Sequence, residues 1–221
     1  MQHERAFLFD MNGTMINDMA FHVRGWHKLL TELGVSITLK EMQLQCYGKN
    51  EELLERMLPG RFSDAEKQTM IMTKENIYQE EFRPHMQLIN GLHDFLGKAK
   101  NAGIKMAIGS AAIMYNINYI LDGLNIRHYF DAIVSADHVT ISKPDPETFT
   151  KAADLLGVPY ENCIVFEDAA KGVEAALNAG MKSVVIKGFH EPEEFDYLPN
   201  IIAMIDDYTD PALDALFPVS L

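Results

Sequence analysis

The sequence predicts an α/β fold, a parallel sheet sheathed by helices, with an all-helical segment inserted after the first strand. Short apolar runs rich in strand-forming residues recur at Ala6–Phe9, Lys105–Gly109, Ala132–Ser135, Cys163–Phe166, Ser183–Ile186 and Ile201–Ile205. They are apolar on both faces and the last five alternate with helical stretches, the pattern of strands buried between helix layers. The second observation is the interval between the first two runs. It is far too long for one crossover helix and holds no convincing strand.

Among the later runs, Asn116–Leu124, Pro146–Leu156 and Ala170–Ala179 fit helices. Gly123, Gly157 and Gly180 stand at or near their ends as helix stops. The long interval reads as helices over Met19–Leu33, Leu39–Gln45, Glu51–Met57 and Asp64–Phe82. Breaks fall at Gly34, Gly48 and the Leu58-Pro59-Gly60 turn. Met57, Met70 and Met72 read as filling for a helical core.

Composition narrows the function classes. The 221 residues carry 19 Lys plus Arg against 32 Asp plus Glu, a formal charge of −13. That charge argues against nucleic-acid or anionic-lipid partners, which attract basic surfaces. An anionic small molecule stays possible, since a few local cations and a metal can reverse the field in a pocket. Cys46 and Cys163 are too few for a disulfide scaffold and suit a reducing compartment. No stretch is long and apolar enough for a membrane span, and MQHERAFLFD lacks the apolar core of a secretory signal. A cytoplasmic protein is expected. The acidic stretch His190–Asp196 reads as a solvated loop.

Ligands of open parallel sheets bind beyond the carboxyl ends of the strands. There the first run ends in Asp10-Met11-Asn12-Gly13-Thr14 and the second in Ser110. Lys143 follows the third within Ser142-Lys143-Pro144-Asp145-Pro146, and the fourth ends in Glu167-Asp168. Each residue alone has a plain structural reading, such as a helix cap for Asp168 or Ser110. In this order they place a carboxylate, a hydroxyl, an ammonium and an acidic pair along one sheet edge.

With these four segments the chain resembles the haloacid dehalogenase superfamily, in its β-phosphoglucomutase-like phosphatase branch with a helical cap. The resemblance implies a Rossmann-like parallel-sheet core over residues 1–15 and 85–221, with an inserted all-α cap over 16–84. It implies Asp10 as a nucleophile that forms an aspartyl-phosphate which water then hydrolyses. Ser110 and Lys143 would hold the phosphoryl oxygens, with Thr14 and the amides near Gly13 as further donors. Mg²⁺ would be bound by Asp10, the Asn12 carbonyl and Asp168, with Glu167 a ligand or a partner behind one. A dehalogenase would leave the acidic pair unexplained.

The chain departs from the family pattern at Asn12, where the usual aspartate protonates the leaving oxygen and later activates water. An amide keeps hydrogen bonding but shuttles no proton, so weak hydrolysis of alkyl phosphates is expected. Engineering, natural divergence with rescue by a group such as His22, and deamidation at Asn12-Gly13 all remain open.

In the inserted segment, His22 and Lys74 match mutase positions that contact the proton-transfer residue and the sugar. An interface packer beside Trp26 and His27, and a surface lysine, are their plain alternatives. Glu51 occupies the position of the mutase phosphate-binding arginine, with Lys49 and Asn50 displaced from it. Ala111, Ala112, Ile113 and Met114 replace polar residues after Ser110, leaving Ala111 as a substrate-lining position without a donor. Both changes disfavour a bisphosphate. The expectation is a Mg²⁺-dependent phosphohydrolase, monomeric, acting on a small phosphate monoester with sugar phosphates among the candidates. The alternatives are a nearly inactive phosphate-ester binder and a β-phosphoglucomutase-type phosphotransferase.

Overall fold

The computed structural model describes residues 4–188 and 190–217. The chain forms two compact units, one of Met1–Asn17 with Gln87–Leu221 and one of Asp18–Met86. The first is built on a six-stranded sheet of β1 (Ala6–Phe9), β2 (Lys105–Gly109), β3 (Ala132–Val134), β4 (Cys163–Glu167), β5 (Lys182–Ile186) and β6 (Ile201–Ile205). Every pairing is parallel, in the order β3-β2-β1-β4-β5-β6. Phe9 is level with Ile108 on one side and Phe166 on the other. The chain order reverses at β1, the switch point where such sheets open a ligand crevice.

The second unit is helical, with α1 (Met19–Glu32), α2 (Leu39–Gln45), α3 (Asn50–Met57) and α4 (Asp64–Phe82). Thr38 and Ser63 start α2 and α4, each accepting from a backbone amide three residues on while Glu41 or Glu66 reaches back. Gly34, Gly48 and Gly60 take positive φ at the breaks. Val23, Trp26, Leu30, Met42, Leu53, Leu54 and Ile71 are buried, while Met57, Met70 and Met72 are half-buried.

Helices α5 (Leu92–Asn101), α6 (Met114–Gly123), α7 (Glu147–Leu156) and α8 (Ala170–Asn178) belong to the sheet unit. Alternation along β1 sends Ala6 and Leu8 into one layer, against Phe149, Ala152, Ala175 and Ala176. Phe7 and Phe9 enter the other, where Phe7 stacks on Phe95 at 5.6 Å and Phe9 on Phe166 at 4.7 Å. Burying both faces of a strand explains its unbroken apolar reading.

One local expectation changes and two gain detail. Ser135 does not end β3; its hydroxyl accepts from the Asp137 amide and caps the following turn. Gly123 is the last residue of α6, at the helix end as expected, and Asn125 takes the left-handed turn after it at φ 53. In the stretch near His190 the acids Glu191, Glu193, Glu194 and Asp196 are exposed as expected, while Phe195 among them is buried with Leu198 against Val173 and Val185.

Candidate active site

The carboxyl edge of β1 and β4 gathers the candidate residues. Register puts Asp10 one residue beyond Phe9, and its amide donates to the Phe166 carbonyl at 2.9 Å. Glu167 ends β4 and Asp168 follows it. Oxygens of Asp10, Glu167 and Asp168, all buried, lie within 4.8 Å of one another.

Three buried carboxylates this close repel unless cations or protons intervene. Lys143 supplies one charge, with Nζ 2.7 Å from Asp10 Oδ1 and 2.6 Å from Glu167 Oε1. Burial opposes its charge, but Asp10 and Glu167 outweigh that and hold the ammonium above its ordinary range. The face of Phe149 lies 4.5 Å from the same nitrogen. Asp168 shows the remaining imbalance. Burial, then Glu167 and Asp10, push its carboxyl well above the ordinary carboxylate value.

Glu167 is held at both oxygens. Its Oε2 accepts from the amides of Asp168 and Ala169, both at 3.0 Å. Gly172 makes room for it, since a Cβ there would stand 1.8 Å from Oε1. Thr14, fully buried, donates from Oγ1 to Asp168 Oδ1 at 3.1 Å. Ser110 follows β2 with its amide on the Val134 carbonyl, and its Oγ accepts from the Ala112 amide at 3.2 Å. Ala111 beside it is half-buried.

Asn12 lies in the loop after Asp10, half-buried, and bridges to Ile16. The Gly13 amide donates to the Ile16 carbonyl at 2.9 Å. Deamidation requires that nitrogen to attack the Asn12 carboxamide, and this hydrogen bond opposes the attack.

His22 and Lys74 meet within the helical unit, where His22 Nδ1 lies 2.7 Å from Lys74 Nζ. Lys74 is 1% exposed, which rules out the surface-lysine alternative, and its ammonium reaches both Glu75 oxygens at 3.0 and 3.1 Å. His22 stacks on Tyr78 at 3.9 Å and has Asp18 Oδ2 3.3 Å from Nε2. The Tyr78 hydroxyl donates to the same Asp18 oxygen. Gln68 donates to Glu51 at 2.7 Å.

Sequence reasoning missed Tyr208, whose hydroxyl donates to the Thr14 carbonyl at 3.0 Å. Burial, then Asp168 and Asp10, push its phenol well above the ordinary value. It also missed Asp18 and Glu75, which hold His22 and Lys74.

A family model, haloacid dehalogenase-like hydrolase, matches residues 7–186. The chain belongs to this family. It is a hydrolase of the phosphatase kind, in the β-phosphoglucomutase-like branch. The fructose-1-phosphate phosphatase YqaB of Escherichia coli is 28% identical over 188 residues, covering 82% of this chain and 96% of its own. A β-phosphoglucomutase of Bacillus subtilis is 31% identical over 189 residues, covering 81% and 82%. Among solved structures, β-phosphoglucomutase from Clostridium difficile aligns with a TM-score of 0.81 at 29% identity, covering 93% of this chain and 92% of that one. Among the described residues no helix is long and apolar enough to cross a membrane.

Proposed function

We propose that this haloacid dehalogenase-like hydrolase is a Mg²⁺-dependent phosphohydrolase of small phosphate monoesters, working through an aspartyl-phosphate on Asp10. The observation that carries the reading is Lys143 bridging Asp10 and Glu167 beside Asp168. The buried all-oxygen donor set suits a hard cation, and the raised carboxyl of Asp168 marks a charge deficit that one would relieve. Asp10, Asp168 and the Asn12 carbonyl would hold Mg²⁺, with Glu167 as a further ligand or a support for Lys143. Bound there, Mg²⁺ supplies charge neutralisation for an incoming phosphate dianion.

In this reading an Asp10 oxygen forms the bond to phosphorus while the ester oxygen departs with its electron pair. Lys143 and Ser110 steady the phosphoryl oxygens. Water then attacks phosphorus, frees Asp10 and leaves as part of inorganic phosphate. Asn12 donates no acid proton to the departing oxygen, so turnover of alkyl phosphates is slowed by about 10²–10⁴-fold. The helical unit is proposed as the family's substrate-selecting cap, with His22 and Lys74 contributing to that selection.

The sugar-phosphate names of relatives such as fructose-1-phosphate phosphatase favour a sugar phosphate among monoesters. Glu51, a carboxylate in place of the mutase arginine, weighs against a β-phosphoglucomutase-type transferase. Asn12 favours one second reading, a nearly inactive phosphate-ester binder. The proposed setting is a cytoplasmic monomer acting on a small phosphorylated metabolite. Incubation with an aryl phosphate and Mg²⁺, acid quench and peptide mass mapping test the reading. A phosphoryl group on Asp10, absent in Asp10→Asn, supports it; an unmodified Asp10 with no phosphate released overturns it.

A further inference from the structure

A residue outside every motif reaches the loop that carries Asp10. Tyr208 lies after β6, and only 5% of it is exposed. Its ring is locked by Phe95, with centroids 5.4 Å apart, and by Phe166 at 5.9 Å. The hydroxyl meets the Thr14 carbonyl at 3.0 Å. Thr14 in turn gives its own hydroxyl to Asp168. One phenol therefore holds the backbone of the residue whose side chain holds a carboxylate of the acidic cluster.

The segment that presents Tyr208 is built for close approach. The Tyr208 amide donates to the Asn90 carbonyl at 3.0 Å, and Asn90 Nδ2 donates to Asp207 at 2.9 Å. Gly91, at φ 77, lies beneath; a Cβ there would stand 2.8 Å from the Tyr208 carbonyl carbon. On the same side, the Ile89 amide donates to the Met15 carbonyl at 2.9 Å, and Leu88 bridges Ile16. Residues 14–16 are thus fastened by the 88–90 segment and by the phenol.

We propose that Tyr208 is a positioning residue of the metal site, acting through Thr14 on Asp168. This rests on the Mg²⁺ reading above. A side chain that orients a carboxylate ahead of binding raises affinity, because the ion then meets ligands already in place. In a tyrosine serving only the core, replacement by phenylalanine would change stability and leave Mg²⁺ affinity as it is.

Isothermal titration of Mg²⁺ into the whole protein separates these roles, comparing wild type with Tyr208→Phe, Thr14→Val and the double variant. Tyr208→Phe is expected to weaken Mg²⁺ binding by about tenfold with an unchanged far-ultraviolet spectrum. The double variant is expected to bind no more weakly than Thr14→Val, because both deletions act along one path. Wild-type affinity in Tyr208→Phe, or additive losses in the double variant, overturns the inference while leaving the metal reading intact. Absence of Mg²⁺ binding by wild type overturns both.

Discussion

Gly13 faces Asp168 so closely that a Cβ on it would stand 2.0 Å from Oδ2 and 2.5 Å from Cγ. The loop also needs φ 77 at this position, in the left-handed region that an L side chain resists. Two demands converge on one glycine: the turn, and the space in which Asp168 sits. Gly13→Ala is expected to cost about 1–2 kcal/mol in backbone strain. It should also displace Asp168 and weaken Mg²⁺ binding by at least about tenfold. Thermal melts and Mg²⁺ titration check the two effects separately.

Lys143 is the cation that permits Asp10 and Glu167 to be buried together. Its removal in Lys143→Ala leaves buried carboxylates without a counter-charge, which costs about 3–5 kcal/mol. The metal-free variant should therefore melt well below wild type. Mg²⁺ should raise its melting temperature more than it raises that of wild type, because the ion replaces the missing charge. Equal metal-free melts would show that the ammonium is not the stabilising partner.

The raised carboxyl of Asp168 predicts how stability follows pH. Above the ordinary carboxylate value near 4, the unfolded chain has lost this proton while the folded, metal-free protein keeps it. Folding then binds the extra proton, so stability falls as pH rises through that window and levels off above the raised value. Asp168→Asn removes this titration. The wild-type melting temperature is expected to fall relative to Asp168→Asn as pH is raised. Mg²⁺ held by Asp168 would require the ionised carboxylate, so its apparent affinity should weaken towards acid.

Much of the sheet unit is legible in sequence because its signals are local. A strand buried on both faces is a short apolar run, and the candidate-site segments directly follow such runs, as Asp10 follows Phe9 and Asp168 follows Glu167. What is not legible depends on contacts between distant parts of the chain. Tyr208 acts on a carbonyl 194 residues away. Lys74 meets His22 across 52 residues, and the mixed polar and apolar order of α4 gives no hint that it is buried. Ser135 reads as strand and proves to be a cap, a choice made by one hydroxyl–amide hydrogen bond.

The helical unit offers an independent test of buried charge. Glu75 accepts from Lys74 and, at 2.8 Å, from Asn50 Nδ2. Glu75→Ala strands the Lys74 ammonium and is expected to cost about 3–5 kcal/mol. Lys74→Met combined with Glu75→Leu should cost less than that single change, because neither member of the pair is left as an uncompensated buried charge. Chemical denaturation of wild type, Glu75→Ala and the double variant reads the difference.

Asn12, read from the sequence as a departure from the family pattern, permits the most direct measurement. Phosphate release from an aryl phosphate and a sugar-phosphate panel, with Mg²⁺, is compared between wild type and Asn12→Asp after intact-mass verification of the amide. The expected result is an increase of about 10²-fold or more in Asn12→Asp, abolished by Asp10→Asn and by chelation. Equal inactivity of wild type and Asn12→Asp on every substrate, with no phosphoryl group on Asp10, would contradict a phosphohydrolase at this site.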